Sequence, residues 1–310
     1  MSKLIRNLLI LAAVLIIIGG IVAGVGTMLG GFKPITITTN GPVIVGTDSA
    51  DSVKVNENYS KITELKVDLD IGELILVEGD SFSLKGSYNP TLLNYEIIEK
   101  NGVLTIIGKS IKNGLWGWNW NWNWGFSGFA TDRLTFTYPK GTEFDLIDVT
   151  LELGSLEINS LQVDSLILSL SLGDLKGNAI SVDSLNATLN LGSCNLTDLT
   201  VSRQAEFNMD AGSLYLKNSS INNLTANNNL GSFDYSGTLK GNAKVVCDLG
   251  SLKMDLEDPE NELSYSIKAD LGSVTVNGRT QSSSVSKAAT SPKCTLDLNA
   301  SLGSITLNTR

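Results

Sequence analysis

Histidine is absent from this chain of 310 residues. Its absence removes the commonest general base and a common metal ligand together. Cysteine is scarce: Cys194, Cys247 and Cys294 are the only three. So small and odd a set makes no disulfide framework. Cys194 and Cys247 stand in columns that are otherwise mostly apolar, where they read as small buried hydrophobes. Positive charge is short as well, with 23 Lys and Arg against 32 Asp and Glu and a net charge of −9. That balance repels phosphate and argues against nucleic acid as a partner. No cofactor is expected. Tryptophan is missing everywhere except one segment, "GLWGWNWNWNWGFSGF" at 114–129, which holds all five at Trp116, Trp118, Trp120, Trp122 and Trp124.

An uncharged apolar run extends from Leu8 to Leu29. As a helix it would be about 33 Å long, enough for a bilayer core of about 30 Å. The apolar region of a signal peptide is shorter, roughly 7–15 residues, and ends in a small-residue cleavage site. No clean A-x-A follows this run, and no Cys follows it to carry a lipid. Residues 8–30 therefore read as an uncleaved signal anchor. Lys3 and Arg6 precede the run and only Lys33 follows soon after. Positive residues stay inside, so residues 1–7 are expected in the cytoplasm and the rest outside. Residues 31–58, with Pro34 and Pro42, read as a stalk, and 59–310 as one extracytoplasmic domain.

That domain is filled by a repeat. LELGSLEI, LSLGDLKG, LNLGSCNL, MDAGSLYL, NNLGSFDY, CDLGSLKM, ADLGSVTV and ASLGSITL centre on Gly154, Gly173, Gly192, Gly212, Gly231, Gly250, Gly272 and Gly303. The spacings are 19, 19, 20, 19, 19, 22 and 31, and an earlier relative, LDIGELIL, centres on Gly72. One residue before each glycine is apolar, two before is polar, and three before is apolar except at Asn228. Period-two alternation means a strand with one buried face. The residue two after the glycine is apolar again. On a straight strand that residue and the one before the glycine would face opposite ways, so the chain must turn or bulge there. The rest of each coil fits two more short strands, as in Leu161 and Val163, then Leu166 and Leu168. The expected fold is an all-β, single-chain β-solenoid, β-helix-like, with about 19–20 residues per coil, stacked edge to edge. If the column before the glycine faces inward, Leu191→Asp buries an unpaired charge.

The stretches "ITELKVDLDIGELILVEGDSFSLKG" and "DRLTFTYPKGTEFDLIDVTLELGSLEI" resemble the bacterial DUF4097 family, whose members are often labelled adhesins. The shared features are a strand ending in Pro139, Lys140 and Gly141, then repeated strand–Gly–Ser/Asp–strand units over residues 55–310. The resemblance implies a β-solenoid, frequently behind a membrane anchor, with some relatives beside envelope-stress systems. It carries over no catalytic residue. The chain departs from the pattern at Glu73, where Ser or Asp is usual, and in its Trp insertion.

Little else suggests chemistry. The serines after the glycines have no histidine to activate them and recur in seven of the eight coils, as a corner device would. Stacking is expected to bring Asp248 and Asp270 within about 5 Å, but the calcium-binding nonapeptide is absent. A carboxylate pair also suggests glycosidases, yet no cleft-forming loops flank it. The segment "RTQSSSVSKAATSPK" at 279–293 reads as a Ser-rich loop.

The Trp segment has three readings. Its indoles, with Phe126, dock on the bilayer surface as an aromatic belt does; they stack on cell-wall glycan or bind an envelope protein; or they cover a solenoid edge. The expected function is a non-enzymatic, single-pass envelope scaffold or adhesin held in the bilayer by residues 8–29. The alternatives are an accessory regulator of an envelope-stress system and, remotely, a polysaccharide-active enzyme.

Overall fold

The computed structural model describes residues 52–90, 93–111 and 132–310, together with the backbone of two short strands between residues 35 and 44. Those two, β1 (Ile35–Thr38) and β2 (Gly41–Ile44), pair antiparallel within a unit separate from the main body. The main body has no α-helix among the described residues; its one helical element is a 3₁₀ turn at Glu260–Glu262. No helix of the described residues is long and apolar enough to cross a membrane, and the run 8–29 lies outside them.

The body begins with β3 (Val53–Tyr59), β4 (Glu64–Gly79), β5 (Phe82–Tyr88), β6 (Leu93–Lys100), β7 (Val103–Ser110) and β8 (Arg133–Pro139). Long strands follow: β9 (Glu143–Leu172), β10 (Leu175–Leu191), β11 (Cys194–Ala211), β12 (Leu214–Leu230) and β13 (Phe233–Leu249). Short ones finish it: β14 (Leu252–Leu256), β15 (Leu263–Leu271), β16 (Val274–Val276), β17 (Arg279–Gln281), β18 (Ser284–Lys287), β19 (Cys294–Leu302) and β20 (Ile305–Asn308). From β9 to β13 each strand pairs in parallel with the next, so that Leu156, Leu175, Cys194, Leu214 and Phe233 form one column. This is the expected solenoid.

Each long strand bends round three faces. In β10 the inward residues are Leu175 on the first, Ile180 and Val182 on the second, and Leu185, Ala187 and Leu189 on the third; all are buried. Their columns form one continuous apolar core along the axis. A fully buried aliphatic side chain contributes about 1.5–3 kcal/mol. The bend between the first two faces is a column absent from the sequence reading. Ser160, Ala179, Asp198 and Asn218 stack there with φ of 60°, 53°, 54° and 49°. A left-handed conformation costs an L-residue about 1–2 kcal/mol, and Asp and Asn tolerate it best. The side-chain amide of Asn218 donates to Asp198 across the rung.

The glycine corner differs from expectation in a way that matters below. The last inward residue is the one three before the glycine, as at Leu170 and Leu189. The leucine directly before the glycine faces out, contrary to the inward column expected for it: Leu191 is 51% exposed and Leu271 69%. The backbone starts to turn one residue ahead of Gly192, so parity is lost at Leu191 and regained, inward, at Cys194.

Spatial order departs from chain order at both ends. β4 lies between β9 on one side and β7 and β8 on the other. At the far end β19 inserts between β13 and β15, and β20 between β14 and β16. Ser301 therefore sits between Asp248 and Asp270, which are not neighbours as expected but two rungs apart. Antiparallel strands close the stack: β6 on β7 and β3 on β5 at one end, β18 on β15 and β17 on β16 at the other. An antiparallel closing strand interrupts the parallel template that a bare edge would offer. So β3 belongs to the solenoid, which starts near residue 52 and not at 59, and the Ser-rich segment 279–293 contains two closing strands.

Candidate interaction surface

The nine glycines of the repeat stack on one another at a single corner. A Cβ built on Gly192 would lie 1.8 Å from the carbonyl oxygen of Gly173, and Gly192 has φ of 141°. Both facts exclude any side chain. The same contact runs from Gly154 onto Gly72, then through Gly173, Gly192, Gly212, Gly231 and Gly250 to Gly303, with Gly272 on Gly303. At this corner the residue before the glycine points away from the core, most fully at the leucines from Leu172 onward.

The outward residues consequently form a ridge. Leu172 pairs with Leu191, Leu191 with Ala211, Ala211 with Leu230, Leu230 with Leu249, Leu249 with Leu302 and Leu302 with Leu271. Leu153 and Ile71, half-buried, continue it toward the N-terminal end. At roughly 4.8 Å per rung the ridge is about 38 Å long. Leu172, Leu191, Leu230, Leu249 and Leu302 are 43–51% exposed. A contiguous exposed apolar patch marks an interaction site more often than scattered leucines do.

The flanks of the ridge carry one sign of charge. The residues two before and one after each glycine include Asp70, Glu73, Glu152, Asp174, Asp210, Asp248 and Asp270, and no Lys or Arg. Several hold the corner together across rungs. Asn229 donates to Asp210 at 3.0 Å, Ser301 Oγ to Asp248 at 3.0 Å, and the backbone N–H of Ser193 to Asp174 at 2.9 Å.

The expected contact residues Trp116, Trp118, Trp120, Trp122, Trp124 and Phe126 lie outside the described residues. Both points where that insertion meets the solenoid are described. At its start, the N–H and Oγ of Ser110 each donate to Asp70 at 2.8 Å, and Lys109 reaches Asp68 at 2.7 Å and Asp70 at 3.0 Å. Burial pushes the Asp70 carboxyl up, but the donors from Ser110 and Lys109 outweigh it and hold the group below its usual range. At its end, Glu73 N–H donates to the Asp132 carbonyl at 2.7 Å, and Arg133 grips Glu73 at 2.7 and 3.0 Å. Asp70 and Glu73 flank Gly72, so Ser110 and Asp132, the described residues before and after the insertion, both sit at the glycine corner beside Ile71. Asp132 is buried, its carboxyl is pushed up by that burial, and it accepts from Asn89 N–H at 3.0 Å. Nearby the rings of Tyr88 and Tyr95 pack 4.3 Å apart. The sequence reading missed this base; the one available signal was Asp132, three residues after Phe129.

The family description Toastrack DUF4097 matches residues 52–308. The chain belongs to that family. No curated protein matches it. Among solved structures, this Toastrack chain is similar to a "putative adhesin" from Bacteroides fragilis at 10% identity, covering 84% of this chain and 98% of that one with a TM-score of 0.47. It is also similar to a "putative lipid binding protein" from Parabacteroides distasonis at 12% identity, with 84% and 98% covered and a TM-score of 0.35. A "putative cell adhesion protein" from Clostridium sporogenes follows at 13%, with 84% and 100% covered and a TM-score of 0.27. At these identities and TM-scores the likeness carries no argument, and the role of the Toastrack body has to be sought on its own surface.

The thiols lie in the interior. Cys194, Cys247 and Cys294 are buried and unpaired by disulfide. Burial raises all three thiols, that of Cys294 to about 12. An open depression of about 520 Å³ at the C-terminal end is lined in part by Asp255, Glu257 and Asn308. Asp255 there is tied down by Lys253 at 2.6 Å and Asn308 at 2.7 Å.

Proposed function

We propose that this Toastrack protein is a non-enzymatic, membrane-anchored scaffold of the adhesin type. Residues 8–29 hold it in the bilayer, its solenoid stands outside the cytoplasm, and it works by binding along an edge. The observation that carries this reading is the leucine ridge. A repeat that buries its other apolar columns keeps one in solvent through successive coils, and Ser110 and Asp132, the described residues on either side of the aromatic-rich insertion, contact the same corner. An extended ridge is suited to holding an extended partner, whereas catalysis on a small molecule needs an enclosing pocket with convergent polar groups.

The test has two readouts on cells making the full chain with a C-terminal epitope tag. Intact, unpermeabilised cells, with the wall removed enzymatically, should bind antibody to the tag, and the purified chain should be retained by cell-surface glycan while leaving it chemically unchanged. Labelling only after permeabilisation would overturn the topology. Release of soluble sugar fragments would overturn the non-enzymatic reading.

A further inference from the structure

We propose that the leucine ridge is the docking seat of a basic amphipathic helix supplied by a protein partner. This rests on the reading of the solenoid as a binding scaffold and adds the chemistry of what it binds. Spacing selects the helix. Rungs repeat at about 4.8 Å, and a helix laid along them offers an apolar residue every turn of about 5.4 Å, whereas same-face residues of a strand repeat at roughly 6.6–6.8 Å. Over three or four rungs the helix stays close to register.

Charge selects its sign. Glu152, Asp174, Asp210 and Asp248 flank the middle of the ridge, and none of them takes part in an ion pair among the described residues. At the two ends the carboxylates are already neutralised: Asp70 by Lys109 at 3.0 Å, and Asp270 by Lys268 at 2.7 Å. The open stretch thus lies between Leu153 and Leu249. A helix with leucines on one face and Lys or Arg bordering them matches both features. A second copy seated ridge to ridge would set carboxylates against carboxylates. An anionic bilayer would meet the same repulsion.

The experiment uses the full chain in a zwitterionic nanodisc, with empty nanodiscs as background. The probe is a labelled synthetic helix of about 18 residues, or five turns, with leucines on one face and lysines on the rest. Controls are the same helix with Glu for Lys and a shuffled Leu/Lys isomer with no apolar face. The Leu/Lys helix should bind. The double variant Leu191→Ser/Leu230→Ser should weaken it at least about tenfold, and Glu152→Gln/Asp210→Asn/Asp248→Asn should weaken it and flatten its salt dependence. Both variants change exposed side chains and should melt near wild type. Equal binding of the Glu helix or the shuffled isomer, or no effect of the leucine variant, would overturn the proposal. So would a leucine-dependent dimer in sedimentation, which would make the occupant a second copy, or leucine-dependent flotation with lipid vesicles, which would make it a bilayer. Binding is measured on purified protein, so its failure is separate from failure of the cell-surface topology or of glycan retention.

Discussion

From Leu175 to Leu249 each residue rests on one about 19 positions earlier, and chain order is spatial order. Beyond those limits the relation fails. β4 lies between strands that all follow it in the chain, β9 on one side and β7 and β8 on the other, and β19 slides between β13 and β15. The middle can repeat one pattern because every coil meets a copy of itself. The ends meet water, and a parallel rung left bare there would recruit another chain. They are therefore built from antiparallel strands, an aromatic plug and buried polar ties. Phe136, Tyr138 and Phe144 pack with ring centroids 5.1–6.4 Å apart at one end. Asp258, fully enclosed at the other, accepts from Leu239 N–H at 3.0 Å and from the Lys293 ammonium.

Glycine substitution should break this comparison most sharply. Gly192→Ala in the middle places a methyl 1.8 Å from a backbone oxygen at φ of 141°. It should cost on the order of 4 kcal/mol or more, or abolish folding. Gly278→Ala in the terminal hairpin meets nothing within 4 Å at φ of 72°, and should cost only about 1–2 kcal/mol for the left-handed backbone. Chemical denaturation of the two variants checks the contrast.

A second pair sharpens the corner. Leu189→Asp puts a charge where no side-chain surface meets water and should cost several kcal/mol, roughly 4. Leu191→Asp, two residues on, should stay within about 1 kcal/mol of wild type. Thermal melts that rank them the other way would reverse the corner geometry.

The smallest effect concerns Asn228, which occupies the inward column between Met209 and Cys247 and is 2% exposed. Both of its amide atoms lack a hydrogen-bond partner. Asn228→Val should remove that debt and raise the midpoint by about 3 °C. An unchanged or lowered midpoint would mean that the amide is satisfied in solution.

The legible part of the sequence was its periodicity. Alternation identified the inward residues of the third face, the glycine repeat identified the stacking, and the apolar residue after each glycine required a turn. Where the turn began was not legible. Leu191 keeps strict parity with Leu189, and nothing in a one-dimensional pattern says that the backbone rotates one residue before Gly192 and not after it. The contact made at that corner, a glycine on the carbonyl of another glycine 19 residues away, exists only in three dimensions. That one misplaced column hid the ridge. The order of the ends was illegible for a different reason: Leu302 and Gly303 carry the same signature as every other coil, so the strand that inserts looks like the strand that follows. The root of the insertion at Tyr95 and Asp132 depends on pairing between distant strands and left only an acidic residue as a clue.

The central claim is that the leucines before the repeat glycines form an outward ridge while those two residues earlier line the core. Thiol labelling tests it most directly, because the three native cysteines are buried and supply a silent background. Leu191→Cys, Leu230→Cys and Leu249→Cys should each react rapidly with a maleimide in the folded chain, and Leu189→Cys should react only on unfolding. Rapid labelling at 189 with protection at 191, 230 and 249 would place the leucines inside and remove the ridge from the structure.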